Sequence, residues 1–159
     1  MALLEATYSV LMWGFLKVGF ISIKRSKEDF VLNGKLNLIF KQVYIYYYQN
    51  QTDSIYYEKS GKEKRSRKWV FYLGKVLYNQ NYTSNLVLDG NIGKIEKRIA
   101  PNHICYKFSK GDVKLACVQF IKIGNFTIPK KILLEGKIPS ILINLKKYKV
   151  TEAGKNASP

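Results

Sequence analysis

Apolar and polar positions alternate with a period of two along most of this chain, in short runs divided by turn-forming residues. That period places successive side chains on opposite faces of a β-strand. The densest such stretch is Val43–Leu73, VYIYYYQNQTDSIYYEKSGKEKRSRKWVFYL, in which six of the twelve tyrosines fall between Tyr44 and Tyr57. It reads as three consecutive antiparallel strands, the third running from Lys64 to Tyr72, with turns at Asn50-Gln51-Thr52-Asp53 and Ser60-Gly61-Lys62-Glu63. Aromatic and β-branched side chains suit a pleated, half-buried surface, and Asn, Asp, Ser and Gly supply the turns.

The same reading extends to both ends. Residues 6–25 form a first hairpin, with Gly14 and Gly19 allowing tight backbone or a bulge. Phe30–Phe40 is a strand with Leu36, Leu38 and Phe40 on one face. Gly74-Lys75 makes a kink or turn before Val76-Leu77-Tyr78. The stretch 79–91 reads as a loop with one helical turn at Ser84–Asp89. Ile92–Ala100 is a strand turned by Pro101-Asn102, and two further strands surround Ser109-Lys110-Gly111-Asp112. Phe126–Leu134 and Ser140–Val150 close the chain as a hairpin, with Pro129 marking an edge or bulge. No helical period persists beyond two turns. The expected fold is therefore mainly β: a single antiparallel, strongly curved sheet, or an open or partly closed barrel, with little helix. Residues 1–150 make one domain and 151–159 a flexible tail.

Composition supports a folded core. The 159 residues are 47% hydrophobic and 14% aromatic. Burying about 20 large side chains at ~1.5–3 kcal/mol each opposes the ordering cost of such a chain. The chain carries 27 Lys and Arg against 11 Asp and Glu, a formal net charge of +16. Such a field favours anionic partners. Only Arg25, Arg65, Arg67 and Arg98 are arginines, so the charge is mostly mobile lysine, which suits a diffuse field better than bidentate base reading. The local maximum is Lys59, Lys62, Lys64, Arg65, Arg67 and Lys68, broken by Glu63. One reading is a solvated hairpin tip whose lysines discourage edge pairing. The other is a patch for an anionic surface. Aromatics beside it (Tyr56, Tyr57, Trp69, Tyr72) fit base stacking or simple cross-strand packing.

Catalytic chemistry finds no constellation. The single His103, at a strand start, has no second histidine for a metal site, and no nucleophile elbow, phosphate loop or paired carboxylate is present. Asp53, Asp89 and Asp112 lie in turns. The expectation is a non-enzyme without metal or cofactor. Cys105 and Cys117 flank a hairpin. Pairing Lys107 with Lys114 points their thiols to opposite faces, whereas a one-residue bulge brings them together. Buried thiols and a disulfide both remain open, and the latter requires an oxidising compartment. Asn-x-Ser/Thr triplets at Asn50, Asn81, Asn125 and Asn156 are explained by the abundance of asparagine. No stretch is long enough for a membrane-crossing helix: Ala6–Leu16 has 11 uncharged residues against the ~20 required. Glu5 stands where a signal peptide would carry basic residues. Localisation is then periplasm or envelope if a leader has been removed, and cytoplasm otherwise.

Trp13, Phe15, Phe20, Leu38, Phe40, Trp69 and Phe71 are candidates to line a ligand cavity in a curved sheet, or else belong to the core. The run Tyr8-Ser-Val-Leu-Met-Trp13-Gly14-Phe-Leu-Lys-Val18-Gly19 resembles the opening hairpin of a broad bacterial family of exported proteins of unknown function. Asp53-Ser-Ile-Tyr-Tyr-Glu58 and the basic strand after it resemble that family's next features. Ile128-Pro129-Lys-Lys-Ile-Leu-Leu134 with Ile141-Leu-Ile-Asn-Leu145 is similar to its last hairpin and to that of Lol-type lipoprotein carriers. The resemblance implies a periplasmic or envelope protein holding a lipid or other hydrophobic ligand in its curved sheet, and the lysine-rich exterior would then meet an anionic membrane surface. The alternatives are a basic nucleic-acid-binding β-domain and a structural assembly domain; the oligomeric state is open.

Overall fold

The computed structural model describes residues 2–38, 41–88 and 90–152. Among them are twelve strands and one helix. The strands are β1 (Ala2–Met12), β2 (Leu16–Arg25), β3 (Phe30–Leu38), β4 (Lys41–Gln49), β5 (Ser54–Ser60), β6 (Glu63–Arg65), β7 (Leu86–Leu88), β8 (Asn91–Ala100), β9 (His103–Phe108), β10 (Val113–Ile123), β11 (Phe126–Gly136) and β12 (Ile141–Glu152). The helix, α1, is Lys68–Tyr78. All twelve strands join one antiparallel sheet in the order β6-β5-β4-β3-β2-β1-β12-β11-β10-β9-β8-β7. The sheet is open, ending at β6 and β7. The expected mainly β, helix-poor antiparallel sheet is therefore found. Every neighbour in it is also a neighbour in sequence except β1 and β12.

Two compact units divide the chain. The first comprises 1–9, 18–74 and 145–159, and the second 10–17 and 75–144. In the first, Leu4, Ala6 and Tyr8 on β1, Ile21 and Ile23 on β2, Phe30, Leu32 and Leu36 on β3, and Val43, Ile45 and Tyr47 on β4 are buried. Arg25 is buried with them, its guanidinium 4.9 Å from the Phe30 ring centre. The first residues of α1 cover this face. Gly74 lies so close to Tyr47 that a Cβ there would stand 2.3 Å from its ring.

In the second unit one cross-strand row, Ile104–Val118–Ile132–Ile143, is buried from β9 to β12. Beside it Tyr106, Ala116, Leu134 and Ile141 form another. Val76 and Leu77, at the end of α1, are buried in this unit. Tyr82 stacks on Phe120 with centroids 5.4 Å apart, donates to the Val76 carbonyl at 2.6 Å, and accepts through its own carbonyl from the Tyr106 hydroxyl. Burial pushes the Tyr106 phenol up to about 12, against a lowering by Arg98.

Three local expectations need correction. The third strand of the central stretch stops at Arg65, and Trp69–Tyr72, with Gly74 to Tyr78, are helical. Val70, Leu73, Val76 and Leu77 recur at helical spacing and are fully buried, so packing overrides the strand preference of the aromatic and β-branched residues. The helical turn at Ser84–Asp89 is instead β7 over Leu86–Leu88, paired with β8; Asp89 itself lies outside the described residues. Finally, Lys107 pairs with Leu115 and Cys105 directly with Cys117, so the thiols share a face and are joined as a disulfide. The bulge expected at Pro129 is present: the register slips between Gln119 and Phe120, which face Lys131 and Pro129. Of the tail, Thr151 and Glu152 extend β12, and residues 153–159, including the Asn156 triplet, lie outside the described residues.

Candidate functional site

The face of the second unit opposite its core is not uniformly polar. Register aligns Lys97, Cys105, Cys117, Leu133 and Leu142 in one row across β8 to β12. With strands ~4.8 Å apart the row is about 19 Å long. On one side runs His103–Gln119–Lys131–Asn144, and on the other Lys107–Leu115–Glu135. The apolar members Leu115, Leu133 and Leu142 are half-buried, with water on one side and the sheet on the other. A groove of about 640 Å³ lies along this row, lined by Leu115, Leu133, Leu142, Ile99 and the disulfide, with Lys97, Lys131, His103 and Glu96 at its rim.

The groove owes its edge to two irregularities in β8. Register slips between Ile95 and Lys97 and between Arg98 and Ala100, leaving Glu96 and Ile99 as extra residues. Both line the groove. Bulges re-aim side chains in this way and accumulate beside binding sites. The disulfide ties the floor between β9 and β10. Two lysines against one glutamate leave the rim cationic. Chemically, a half-enclosed apolar trough with a positive margin accepts an amphiphile: an apolar tail along the leucines and an anionic head against Lys97 or Lys131. By contrast, a depression of about 320 Å³ in the first unit is half as large and has four charged side chains, Glu5, Lys24, Lys147 and Lys149, beside Ala6 and Ile23 in its lining.

The seven apolar residues singled out in the sequence line neither depression. Trp13 and Phe15 stand in the β1–β2 turn and are exposed. Phe20 is exposed on β2, because inward positions switch from Val18 to Ile21 across Gly19 and turn Phe20 outward. Leu38 is half-buried at the end of β3, and Phe40 lies outside the described residues. Trp69 and Phe71 are half-buried on α1, Trp69 donating to Glu58 at 3.0 Å and Phe71 packing on Tyr56 at 5.0 Å. The groove residues escaped notice because each sits singly in its strand. Only the register, set by the paired cysteines, lines them up.

The basic residues are brought to one end of the sheet. Lys59 on β5 faces Lys64 on β6, Lys62 is in the turn between them, and Arg65, Arg67 and Lys68 lead into α1. Glu58 gathers part of this charge: Arg67 is 3.7 Å and Lys41 4.0 Å from its carboxylate. Lys64 sits 4.1 Å over the Tyr57 ring, Tyr57 stacks on Tyr46, and Tyr72 is buried. These rings are occupied by one another and by lysine, which supports packing over base stacking as their use. No protein-family model matches the chain, and no curated protein is significantly similar to it.

Proposed function

We propose that this chain is a non-enzymatic carrier of an exported compartment, which binds a single-tailed anionic amphiphile, such as a fatty acid or lysophospholipid, along the groove of β8–β12. The observation that carries the reading is the row Cys105–Cys117–Leu133–Leu142 with its lysine margin, an apolar line on the sheet face that the core does not need. Contiguous apolar surface outside a core marks interaction sites, and the volume is within the ~300–1,000 Å³ usual for small-molecule sites. The disulfide supports an oxidising compartment, where such bonds persist. The resemblance of the flanking hairpins to exported and lipoprotein-carrier families points the same way.

Titration with a fluorescent fatty acid tests the reading. Saturable binding of one molecule per chain is expected, weakened at least about tenfold by Leu133→Glu, since a charge replaces a buried apolar contact worth ~1.5–3 kcal/mol. Leu133 is half-buried, so the variant keeps the fold, checked by an unchanged circular dichroism spectrum. No saturable binding, or equal binding by the variant, rejects the proposal.

A further inference from the structure

The most exposed apolar cluster among the described residues is the β1–β2 turn. Trp13 is 51%, Phe15 79% and Leu16 36% exposed, three large apolar side chains within four residues. The turn has a defined backbone. Trp13 adopts a φ of 55°, in the left-handed region that favours glycine, and is the one non-glycine residue there among the described residues. Gly14 follows at 80°. The Trp13 N–H donates to the Ser140 carbonyl at 2.8 Å, which ties the turn to the β11–β12 connection. That connection contributes the exposed Lys137, and the next residue after Leu16 is the exposed Lys17. A hydrophobic tip is thus followed directly by one exposed lysine and tied to a connection that carries another, all within the second unit.

We infer that this turn docks the protein on an anionic bilayer, Trp13, Phe15 and Leu16 entering the interface while Lys17 and Lys137 meet the headgroups. An exposed apolar tip with lysine next to it in the chain has the make-up of interfacial membrane anchors, where Trp sits at headgroup depth and basic residues meet anionic lipid. A four-residue tip is also far smaller than the ~800 Å² per partner of a stable protein interface, which favours a bilayer over a second protein. The net charge of +16 adds long-range attraction to the same surface. This deepens the carrier reading, because it names the element by which a carrier would reach the membrane, and it is tested without the groove.

The experiment uses the full chain with Trp69→Phe, leaving Trp13 as the sole tryptophan, mixed with vesicles of phosphatidylglycerol and phosphatidylcholine or of phosphatidylcholine alone. Expected is a blue shift of Trp13 emission and co-sedimentation with the anionic vesicles only. Phe15→Ala with Leu16→Ala should weaken partitioning at least about tenfold, while fatty-acid titration in the groove stays as in the parent. Lys17→Glu with Lys137→Glu keeps the apolar tip and should remove the preference for anionic lipid. Unchanged emission with vesicles, parental sedimentation of the Phe15→Ala/Leu16→Ala variant, or Trp13 burial that follows protein concentration rather than lipid would overturn the assignment.

Discussion

Single residues here act through the neighbours they touch rather than through their own propensities. Glycine in a helix interior is ordinarily unfavourable by ~1 kcal/mol relative to alanine. At Gly74 the sign reverses, because a methyl group would meet the Tyr47 ring at 2.3 Å. Gly74→Ala should therefore destabilise by about 1–3 kcal/mol, seen as a lower urea midpoint with unchanged slope; a stabilised variant would remove the packing argument. Tyr106 makes a second case. Its phenol is pushed up to about 12 by burial, while the unfolded chain titrates near 10. The native state then holds its proton more tightly, so this contribution to stability is complete below pH ~10 and declines as pH rises from there towards 12. Tyr106→Phe should flatten that alkaline decline, measured by urea unfolding from pH 9 to 12. An identical slope in both proteins would assign the decline elsewhere.

At the scale of elements, the hairpin β9–β10 is closed by the Cys105–Cys117 disulfide, 12 residues apart. Closing a loop of this size stabilises by ~2–4 kcal/mol. The double variant Cys105→Ala/Cys117→Ala should lose about that much in chemical denaturation, and a loss below ~1 kcal/mol would mean that the bond holds nothing the ladder does not. Period-two alternation made most strands legible, along with the turns around Gly14, Gly61 and Gly111 and the bulge at Pro129. The helix α1 was hidden because Trp69, Val70, Phe71 and Tyr72 favour strands, and its buried stripe becomes meaningful only once Tyr47 offers a surface to cover. Register was hidden too. Alternation says which residues share a face of one strand, but a slip of one residue decides whether Cys105 meets Cys117 or Ala116. For the same reason Phe20, inward on unbroken alternation from Val18, faces water.

For the molecule as a whole, the strands form one open sheet, and the buried residues of each unit are gathered on a face that α1 helps to cover. On the opposite face of the second unit, leucines and a disulfide form a trough with a lysine margin. The proposed ligand lies there and not among the buried rows. The most direct measurement is a methyl NMR titration of the labelled protein with a fatty acid. The methyl signals of Leu115, Leu133 and Leu142 should shift in a saturable manner, with Ile132, Leu134 and Ile143 little changed. Shifts confined to those buried methyls, or no shifts at all, would contradict it.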